Sequence, residues 1–436
     1  MPGFFSYFYK KNMLQLSFIR ENKDDVMRRL SVKNFKGEEI IQQILALDER
    51  RRETQKKLDD SLAEGNALAR EIGNLFKQGK SAEANLLKEK TARLKEISRD
   101  LSAQMEEITS QLDYLLVQIP NLPHDLVKPG KTAEDNEIVY EWGIMPLLPE
   151  NAKPHWDLAS EYDIIDFELG SKVTGAGFPF YKGKGAKLQR ALINFFLDEA
   201  VKAGYTEFQP PLFVNEDSAY GTGQLPDKDG QMYQIQIDKL YAIPTAEVPV
   251  TNIYRDVILK AADLPVKNVA YSSCFRREAG SYGKDVRGLN RLHQFDKVEI
   301  VHIAHPDSSY DNLEEMKQYV SSLLVKLQLP FRILRLCGGD MSFTSAMTYD
   351  FEVYSGAQKR WLEVSSVSNF ENYQANRMKL RFKDEEGKTR LAHTLNGSAL
   401  ALPRIVAALL ENNQVVEGIK IPEPLIKYTG FEIISR

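Results

Sequence analysis

The chain has 436 residues, 43% of them hydrophobic, and a formal net charge of −4 at pH 7. This length predicts two domains with sizeable cores, and the charge excludes a polycation that binds nucleic acid over its whole surface. The two cysteines and six histidines are not spaced for disulfides or a zinc site, and no apolar run reaches the roughly 18 residues of a membrane span, so we expect a cytoplasmic protein with no zinc and no membrane partner.

The first 120 residues are predicted to form an N-terminal domain dominated by two long helices. Residues 1–12 are aromatic and are expected to be a disordered extension, whereas residues 13–33 suggest a strand-like start and a short helix. Within residues 38–118, apolar residues recur at helical spacing on both sides of a break, where Gly79 permits a turn and Ser81 can cap the second helix. Such helices fold back as an antiparallel coiled coil, which by pattern alone is either an RNA-reading arm or a dimerisation rod.

The predicted seam of this coiled coil is apolar in both helices. In the first helix it comprises Ile41, Ile44, Leu58, Leu62, Ala69, Ile72 and Phe76, with polar interruptions at Asp48, Arg51 and Gln55. In the second helix it comprises Leu94, Ser98, Leu101, Met105, Ile108, Leu112 and Leu115. Basic residues near the tip are mixed with glutamates, so this charge pattern is weak evidence for RNA binding.

The remaining sequence is predicted to form a second domain after a polar linker. Proline ends the helical arm at Pro120, residues 121–136 form the linker, and residues 137–436 form the domain. Many β-like runs with few helices and no regular βα alternation predict an α+β fold, with an antiparallel sheet flanked by helices. The predicted strands include residues 138–143, 206–214, 269–278, 292–303, 348–355 and 360–370, and the predicted helices include residues 191–205 and 399–412.

Two of the predicted strands flank a loop rich in glycine and charge. Residues two apart on a strand share a face, so Arg276 and Glu278 are expected to point together. The same rule places His293, Phe295, Lys297 and Glu299 on one face. A guanidinium suits phosphate and an aromatic ring offers a stacking surface for a base, although a surface hairpin with ordinary ion pairs would show the same pattern.

Further candidate residues lie near the C-terminus of the chain. Glu363 is followed by Ser365 and Ser366, which offers oxygen ligands for Mg²⁺ held jointly with phosphates. A polar turn at residues 396–398 is expected to lead into an apolar helix that carries Arg404. An arginine in such a helix needs a partner, which is either a phosphate or an internal carboxylate.

Taken together, these segments resemble the three signature motifs of the class II aminoacyl-tRNA synthetases. The first corresponds to Gly204–Pro211, the second to FRREAGS and LHQFDKVE, and the third to GSALALPRIVAALLEN. The segments PTAEVP, GTGQLP, EVSSVSNFENYQANRM and HTLNGS narrow the resemblance to the bacterial-type seryl-tRNA synthetase family. The N-terminal arm is similar in position and length, so the resemblance extends from Met13 almost to the C-terminus.

This resemblance implies a serine–tRNA ligase that uses ATP and Mg²⁺, forms seryl-adenylate, and charges tRNA(Ser) and also tRNA(Sec). It further implies a homodimer and an arm that binds tRNA. The implied serine-binding residues are Thr245, Ala246, Glu247, Glu299 and Ser398. The implied ATP-binding residues are Arg276, Arg277, Glu278, Phe295, Glu363, Val364, Ser365, Ser366 and Arg404, with Arg276 and Arg404 catalytic and Glu363 and Ser366 holding Mg²⁺.

Three positions depart from the pattern of the family. Gly177 stands where members often have an arginine, and Ala399 and Pro403 replace residues of the third motif. The main alternative to an enzyme is a non-catalytic paralogue that binds RNA or regulates, and such paralogues usually lose the substrate-binding arginines or carboxylates. A coiled-coil scaffold would leave the polar strand faces unexplained, and a ligase that loads a carrier protein is expected to lack the long arm.

Overall fold

The computed structural model describes residues 14–278 and 287–436. The expected N-terminal extension and the middle of the glycine-rich loop lie outside the described residues. The chain divides into two compact units, one comprising Met1–Ser31 and Phe35–Pro120 and the other comprising Val32–Asn34 and Asn121–Arg436. Among the described residues, no helix is both long enough and apolar enough to cross a membrane.

The N-terminal part of the chain is helical. Its helices are α1 (Leu16–Glu21), α2 (Lys23–Val32), α3 (Glu38–Lys77) and α4 (Ser81–Leu116). The predicted strand-like start is wrong, because residues Leu16–Glu21 form helix α1, whereas the short helix predicted after it is present as α2. The predicted cap is also wrong, since Ser81 is the first residue of α4 and Lys80 occupies the cap position without a side-chain bond.

Helices α3 and α4 pack along each other as the predicted antiparallel coiled coil. The Ser61 and Ser98 hydroxyls form a hydrogen bond across the seam at 2.9 Å. Asp48, which was expected to interrupt the seam, lies within it and is 1% exposed. Its carboxylate accepts hydrogen bonds from Arg20 of α1 at 2.8 Å and from Arg51 at 2.9 Å, so this polar position fastens α1 to α3.

The phase of the seam differs from the apolar spacing in the outer half of α3. Leu62 and Phe76 were predicted to be in the seam but are 48% and 41% exposed, and Ala69 is also exposed. The buried positions are instead Ser61 and Leu68, one residue earlier. A strict seven-residue repeat counted from Ile41 through Asp48 leads to Leu62 and Ala69, so the buried stripe of α3 shifts by one residue before Ser61.

The second unit is built on an eight-stranded sheet with the strand order β1-β11-β12-β13-β16-β10-β9-β4. Its strands are β1 (Glu137–Trp142), β4 (Thr206–Phe208), β9 (Val266–Phe275), β10 (Gln294–Ala304), β11 (Phe331–Arg335), β12 (Met347–Ser355), β13 (Arg360–Asn369) and β16 (His393–Ala401). All neighbours are antiparallel except β4 and β9, which are parallel. The predicted α+β fold, with its antiparallel sheet, is therefore confirmed.

Shorter strands and several helices complete this unit. The shorter strands are β2 (Ile165–Asp166), β3 (Phe180–Tyr181), β5 (Phe213–Asn215), β6 (Gln234–Ile235), β7 (Leu240–Ala242), β8 (Ile258–Lys260), β14 (Arg381–Lys383), β15 (Thr389–Leu391), β17 (Gln414–Val415), β18 (Gly418–Lys420) and β19 (Ile433–Ile434). The helices are α5 (His155–Glu161), α6 (Phe167–Val173), α7 (Gly183–Lys202), α8 (Glu216–Thr222), α9 (Glu247–Asn252), α10 (Ser309–Lys326), α11 (Tyr373–Met378), α12 (Leu402–Asn412) and α13 (Glu423–Thr429).

The large sheet contributes to two hydrophobic cores. Helices α7, α10 and α12 share one core with sheet residues such as Ile300, and α9 and α11 share another with residues such as Val301. These two neighbours on β10 point to opposite faces, as strand alternation requires. Helices therefore cover both faces of the sheet. The polar residues Lys297 and Glu299 of β10 lie next to the buried apolar residues Val298 and Ile300.

Two predicted elements are each divided in the structure. Residues 206–214 form β4 and β5 in different sheets, because the intervening Pro210 and Pro211 cannot donate ladder hydrogen bonds. The predicted helix over residues 399–412 begins only at Leu402, with Pro403 in its first turn, where proline is tolerated. The preceding residues, including the predicted polar turn, belong to β16.

The predicted linker after the arm packs into the second unit. The Asn121 side chain donates hydrogen bonds to the carbonyls of Thr344 at 2.9 Å and Phe370 at 2.8 Å. Asn121 and Leu122 are 2% and 3% exposed. The start of the predicted linker is therefore buried, because the amide of Asn121 satisfies backbone groups that would otherwise lack partners, whereas most of residues 125–135 are exposed.

Candidate active site

Arg276 and Phe295 come together at the loop end of the β9–β10 hairpin. Strand β9 ends at Phe275, and the Arg276 backbone N–H donates to the His293 carbonyl at 2.9 Å. The Arg276 guanidinium lies 5.3 Å from the centre of the Phe295 ring, and its Nε donates to the Pro244 carbonyl at 3.3 Å. A cation and an aromatic face therefore adjoin, which suits a phosphate next to a base.

Arg277 and Glu278 do not continue the alternation expected from the sequence. The strand has already ended, and Glu278 has a φ of +47°, so its side chain leaves the face predicted for it. The carboxylate of Glu278 instead accepts a hydrogen bond from Arg291 at 3.0 Å. The backbone N–H of Arg277 donates to the Gln231 carbonyl at 2.9 Å, and its side chain is exposed.

A buried polar cluster lies further along β10. The Lys297 ammonium forms an ion pair with Glu299 and donates to the Thr245 hydroxyl at 2.9 Å. That hydroxyl donates in turn to Glu299 at 2.9 Å. Ser398 of β16 is directly opposite Glu299 in the sheet, and Ala246 is fully buried beside the cluster. The structure thus brings Thr245, Glu299 and Ser398 together, as the resemblance implied.

Glu247 begins α9 and points into the same region. Burial, together with the negative charge of Glu299, raises the pKa of Glu247 to about 7. Gln374 of α11 donates to its carboxylate at 2.7 Å. The side-chain amide of Asn396 is also close to Glu247 and partly offsets the rise in its pKa. Among the described residues, the buried Nδ2 of Asn396 has no hydrogen-bond partner at normal geometry. A carboxylate and a spare donor therefore face the pocket together.

Sequence reasoning missed three members of this cluster. Lys297 was predicted to share a face with Glu299 but was given no role. Its position two residues before Glu299 on a strand already indicated that the two side chains are neighbours. Gln374 lies in the segment EVSSVSNFENYQANRM and Asn396 in HTLNGS, but no spacing rule relates either residue to Glu247. Only the packing of α11 against the sheet brings these side chains to the carboxylate.

A second polar group lies on β13 and β12, and a β-bulge arranges it. Phe351 and Glu352 are consecutive, but they face Ser365 and Glu363, so one extra residue is inserted on β13. The Ser366 hydroxyl donates to the Asp350 carboxylate directly opposite. Burial, and then the charge of Glu363, raises the pKa of Asp350 well above its usual range.

The bulge separates the four predicted residues of β13 into two pairs. The Val364 side chain is buried in the main hydrophobic core, and the Ser365 hydroxyl donates to the Ser398 carbonyl at 2.6 Å. Glu363 and Ser366 instead share the neighbourhood of Asp350. The prediction that Ser365 joins Glu363 and Ser366 as an oxygen ligand is therefore wrong for the Ser365 side chain. Asp350 lies beside Glu363 and Ser366, but nothing in the sequence indicated this contact.

Arg404 is held by backbone carbonyls near Glu363. Its Nη1 donates to the Glu363 carbonyl at 2.5 Å, and its Nε donates to the Asn290 carbonyl at 3.1 Å. The Glu363 carboxylate is more distant, 3.7 Å from Nη1, and is 50% exposed. An internal carboxylate thus only partly satisfies this arginine, and its charge remains available to an anion.

The oxygen donors here fit a magnesium ion that also binds phosphates. The Ser366 hydroxyl donates a hydrogen bond to Asp350, so its oxygen lone pairs are free to face a cation. The exposed Glu363 carboxylate offers a hard anionic ligand. Among the described residues, no group of three or more His, Cys, Asp or Glu could hold a metal. Mg²⁺ needs only one or two protein ligands when waters and phosphates supply the rest.

The Gly177 departure has a geometric basis. Gly177 has a φ of +84°, and a Cβ added there would lie 2.5 Å from Cδ2 of His293. The His293 ring stacks on Phe178, with centroids 5.4 Å apart and planes 9° from parallel, and its backbone N–H donates to the Gly177 carbonyl at 2.9 Å. An arginine at this position would require His293 to move.

The chain is similar to known proteins over nearly its whole length. Residues 13–123 match the family described as seryl-tRNA synthetase N-terminal domain, and residues 233–413 match the tRNA synthetase class II core domain (G, H, P, S and T). A serine–tRNA ligase of Salinibacter ruber is 52% identical over 425 residues, which are 97% of this chain and 99% of that protein. A serine–tRNA ligase of Chlorobium luteolum is 46% identical over 428 residues, with the same shares covered.

Solved structures agree with the sequence relatives. The crystal structure of seryl-tRNA synthetase from Pyrococcus horikoshii complexed with ATP superimposes with a TM-score of 0.91 at 33% identity, covering 97% of this chain and 99% of that chain. A Giardia lamblia prolyl-tRNA synthetase, with a TM-score of 0.55 and 13% identity over 63% of this chain and 56% of its own, is similar in fold alone. The chain therefore belongs to the seryl-tRNA synthetase family of class II aminoacyl-tRNA synthetases.

Proposed function

We propose that the chain is a serine–tRNA ligase that makes seryl-adenylate from serine and ATP and then transfers the seryl group to tRNA(Ser). The observation that carries this proposal is the buried cluster of Thr245, Glu247, Lys297 and Glu299, which strand β10 and the start of helix α9 place next to Arg276. A small pocket that combines two carboxylates with hydroxyls suits an amino acid carrying an ammonium and a hydroxyl. The alternative of a non-catalytic paralogue would require loss of these groups, and all of them are present.

In this proposal each part of serine has its own partners. Glu247 and Thr245, with the backbone of Ala246, receive the ammonium, and Glu299 and Ser398 bracket the hydroxyl. The Lys297 ammonium forms an ion pair with the Glu299 carboxylate and so fixes the position of this acceptor. Alanine is rejected because it would leave these buried polar groups without partners, which can discriminate by roughly 10⁴-fold. Threonine is excluded by the size of the pocket.

ATP is proposed to lie along the face formed by β9, β10 and β13. Phe295 stacks on the adenine, and Glu278 binds the adenine end. Arg276 holds the α-phosphate and the serine carboxylate, and Arg404 holds the γ-phosphate. The Arg277 side chain and the backbone of residues 364–365 complete the site. Glu363 and Ser366 would hold Mg²⁺, which, when bound, supplies positive charge that neutralises the phosphate oxygens.

The first step needs no protein nucleophile. A carboxylate oxygen of serine attacks the α-phosphorus, the new O–P bond forms, and the bond to the bridging oxygen breaks so that pyrophosphate leaves with the electron pair. The protein contributes position and charge: Arg276 faces the negative charge that develops on the α-phosphate. In the second step a ribose hydroxyl of tRNA attacks the seryl carbonyl, and AMP leaves.

The arm is proposed to bind tRNA. Residues 13–120 form the tRNA-binding domain with the hairpin at about 38–118, residues 121–136 link it to the aminoacylation domain, and residues 137–436 carry the chemistry. Helix α3 has 40 residues and is thus about 60 Å long, enough to reach a feature distant from the acceptor end. RNA helices are bound largely through shape and backbone, which scattered polar groups on a rigid support can read. Charging of tRNA(Sec), a homodimer joined partly at Gly204–Pro211 and a cytoplasmic location complete the proposal.

The substrate is tested by ATP–pyrophosphate exchange with each amino acid. Serine should support exchange, with alanine, glycine and threonine weaker by at least about 10³-fold, as expected when buried polar groups are left unmatched. Strong exchange with alanine or glycine and none with serine would refute the assignment.

The arm is tested by a shortened variant in which a four-residue turn replaces residues 62–97. This design retains the bonded pair of Ser61 and Ser98 as the new end of the hairpin. Serine-dependent exchange should stay within about twofold of the full chain, whereas charging of tRNA(Ser) should fall at least about 100-fold because the RNA contacts are removed. Full charging by this variant would contradict a role of the arm in tRNA binding.

A further inference from the structure

His155 and Glu411 form a buried pair outside the proposed substrate contacts. His155 begins α5, Glu411 lies near the end of α12, and both side chains are 0% exposed. The His155 Nδ1 lies 2.7 Å from Glu411 Oε1, and the His155 backbone N–H donates to the same oxygen at 3.0 Å. Ser355 and Gln358 also donate to this carboxylate. Burial alone would raise the pKa of Glu411, but these donors outweigh it and the pKa is lowered.

The second ring nitrogen of His155 bonds to the segment that leads to Arg404. The Leu289 backbone N–H donates to Nε2 at 2.8 Å, so Nε2 carries no proton and Nδ1 donates its proton to Glu411. Gly288 has a φ of +67°, and a Cβ added there would lie 2.2 Å from Nε2. The chain therefore approaches the ring more closely than any residue with a Cβ would allow.

The next residue after Leu289 contacts Arg404. The Asn290 carbonyl accepts from Arg404 Nε at 3.1 Å, and the Asn290 side chain donates to Gln358 at 3.2 Å. Gln358 donates to Glu411 at 2.9 Å. Arg404 and Glu411 lie on the same helix, α12, so residues 289–290 are linked to both ends of it, directly to Arg404 and through His155 and Gln358 to Glu411.

We infer that His155 is a positioning residue for Arg404. It holds the Leu289 amide, which fixes the Asn290 carbonyl under the guanidinium and aims the free face of that guanidinium at the incoming phosphate. This inference rests on the proposed contact between Arg404 and the γ-phosphate. Without the hydrogen bond from Leu289 to His155, Arg404 keeps its bond to the Glu363 carbonyl, but the Asn290 carbonyl no longer fixes the direction of its Nε–H. The defect should concern ATP and not serine, whose proposed pocket is held by different bonds.

Two substitutions separate the two bonds of the ring. His155→Asn retains a donor at the position of Nδ1 for Glu411 but has no acceptor for Leu289. His155→Gln can place a carbonyl oxygen at the position of Nε2 and restore that acceptor. We expect His155→Asn to raise the KM for ATP in serine-dependent exchange at least 10-fold, with the KM for serine within threefold, and His155→Gln to remain within threefold for both.

Hydrogen exchange at the Leu289 amide gives a readout that does not depend on the reaction. Its protection should fall at least 10-fold in His155→Asn and persist in His155→Gln. Gly288→Ala places a methyl group against His155 Nε2 and so disturbs its bond to Leu289 without changing His155. It should reproduce the selective rise in the KM for ATP, and it replaces His155→Asn in the test if that variant folds poorly. A matched control is His302→Asn, since His302 is also buried and bonds to Tyr205 at 2.9 Å and Asn312 at 3.2 Å. It should leave the KM for ATP unchanged.

Three results would overturn the inference: equal loss in His155→Asn and His155→Gln, a parallel rise in the KM for serine, or unchanged Leu289 protection in His155→Asn. Failure of the proposed function has a different signature. In that case the unmodified chain would show no serine-dependent exchange. The protection of the Leu289 amide in the variants would still decide whether His155 holds this amide.

Discussion

The Lys297 ammonium lies against the Glu299 carboxylate two residues further along β10, and both side chains are almost fully buried. Thr245 bridges them, accepting a hydrogen bond from the lysine and donating one to the glutamate. A buried carboxylate is costly unless a counter-charge compensates it. The ion pair therefore keeps an anionic acceptor in the pocket proposed for serine.

Replacing the cation should disable this pocket. Lys297→Met leaves Glu299 buried without its counter-charge, which typically costs about 3–5 kcal/mol. We expect kcat/KM for serine to fall about 100-fold or more in pyrophosphate exchange. The control is Lys202→Met, which removes an exposed ion pair with Glu199 and should change exchange by less than twofold. Equal activity of the two variants would show that Lys297 has no role in the pocket.

Glu247 should make stability depend on pH. Its pKa is raised from 4.5 to about 7 by burial and by Glu299. The stability that protonated Glu247 contributes is thus complete below about pH 4.5 and is lost as the pH rises through about 7. Glu247→Gln stays neutral, so its melting temperature should exceed that of the unmodified chain increasingly between pH 5 and 8. Glu417→Gln, at an exposed position, should show no such trend, and a constant offset for Glu247→Gln would contradict the assignment.

The same titration should affect serine binding. An ammonium is bound by the ionised carboxylate and not by the neutral acid, so the KM for serine should rise as the pH falls below about 7. Over the same range the KM for ATP should change little. In Glu247→Gln the KM for serine should be high at every pH. A pH-independent KM in the unmodified chain would argue against contact between Glu247 and the ammonium.

Asp48 should stabilise the arm through its arginines. Its pKa is lowered because the bonds from Arg51 and Arg20 outweigh the opposing effect of burial. Asp48→Asn should lower the unfolding free energy by about 1–3 kcal/mol at pH 7, a range reduced for the partial exposure of the arginines. The difference should shrink as the pH falls below about 4, where the carboxylate of the unfolded chain takes up a proton, and vanish below the lowered pKa of the native carboxylate.

A surface pair provides the comparison for Asp48. Asp25→Asn removes an exposed ion pair with Arg28 and should cost less than about 1 kcal/mol. Both variants are measured by thermal unfolding of the full chain across this pH range. Similar effects of the two substitutions would mean that the buried position of Asp48 adds nothing.

Glu363 should govern the requirement for magnesium. Glu363→Gln should raise the Mg²⁺ concentration for half-maximal exchange at least about 10-fold, because an amide oxygen is a weaker ligand for a hard cation. Binding of Mn²⁺ in the presence of ATP, followed by electron paramagnetic resonance, should weaken in parallel. Glu352→Gln is the control, since Glu352 lies directly opposite in the sheet but its carboxylate accepts from Arg332 at 2.5 Å. A shift of the same size in both variants would count against Glu363 as a ligand.

The sequence by itself determined the elements with a strong period. The coiled coil follows from three- and four-residue spacing in α3 and α4, and the α+β sheet follows from many short β runs without βα alternation. The family resemblance, rather than any spacing rule, also assigned Thr245 and Glu299 to one serine site, and the structure joins them by a hydrogen bond of 2.9 Å. These features depend on local pattern and on residue types whose chemistry is specific.

The tertiary structure decided whatever depends on contacts between distant segments. An apolar run does not reveal whether it is strand or helix, so the division between β16 and α12 at Leu402 required the neighbouring strands. A bulge on β13 reversed the expected grouping of Ser365 and Ser366. Lys297 had no evident role until Thr245 was folded against it. The link from His155 to Arg404 passes through Leu289, which lies 134 positions from His155 in sequence, and Asn290. Such relations are set by packing, which spacing along one segment cannot encode.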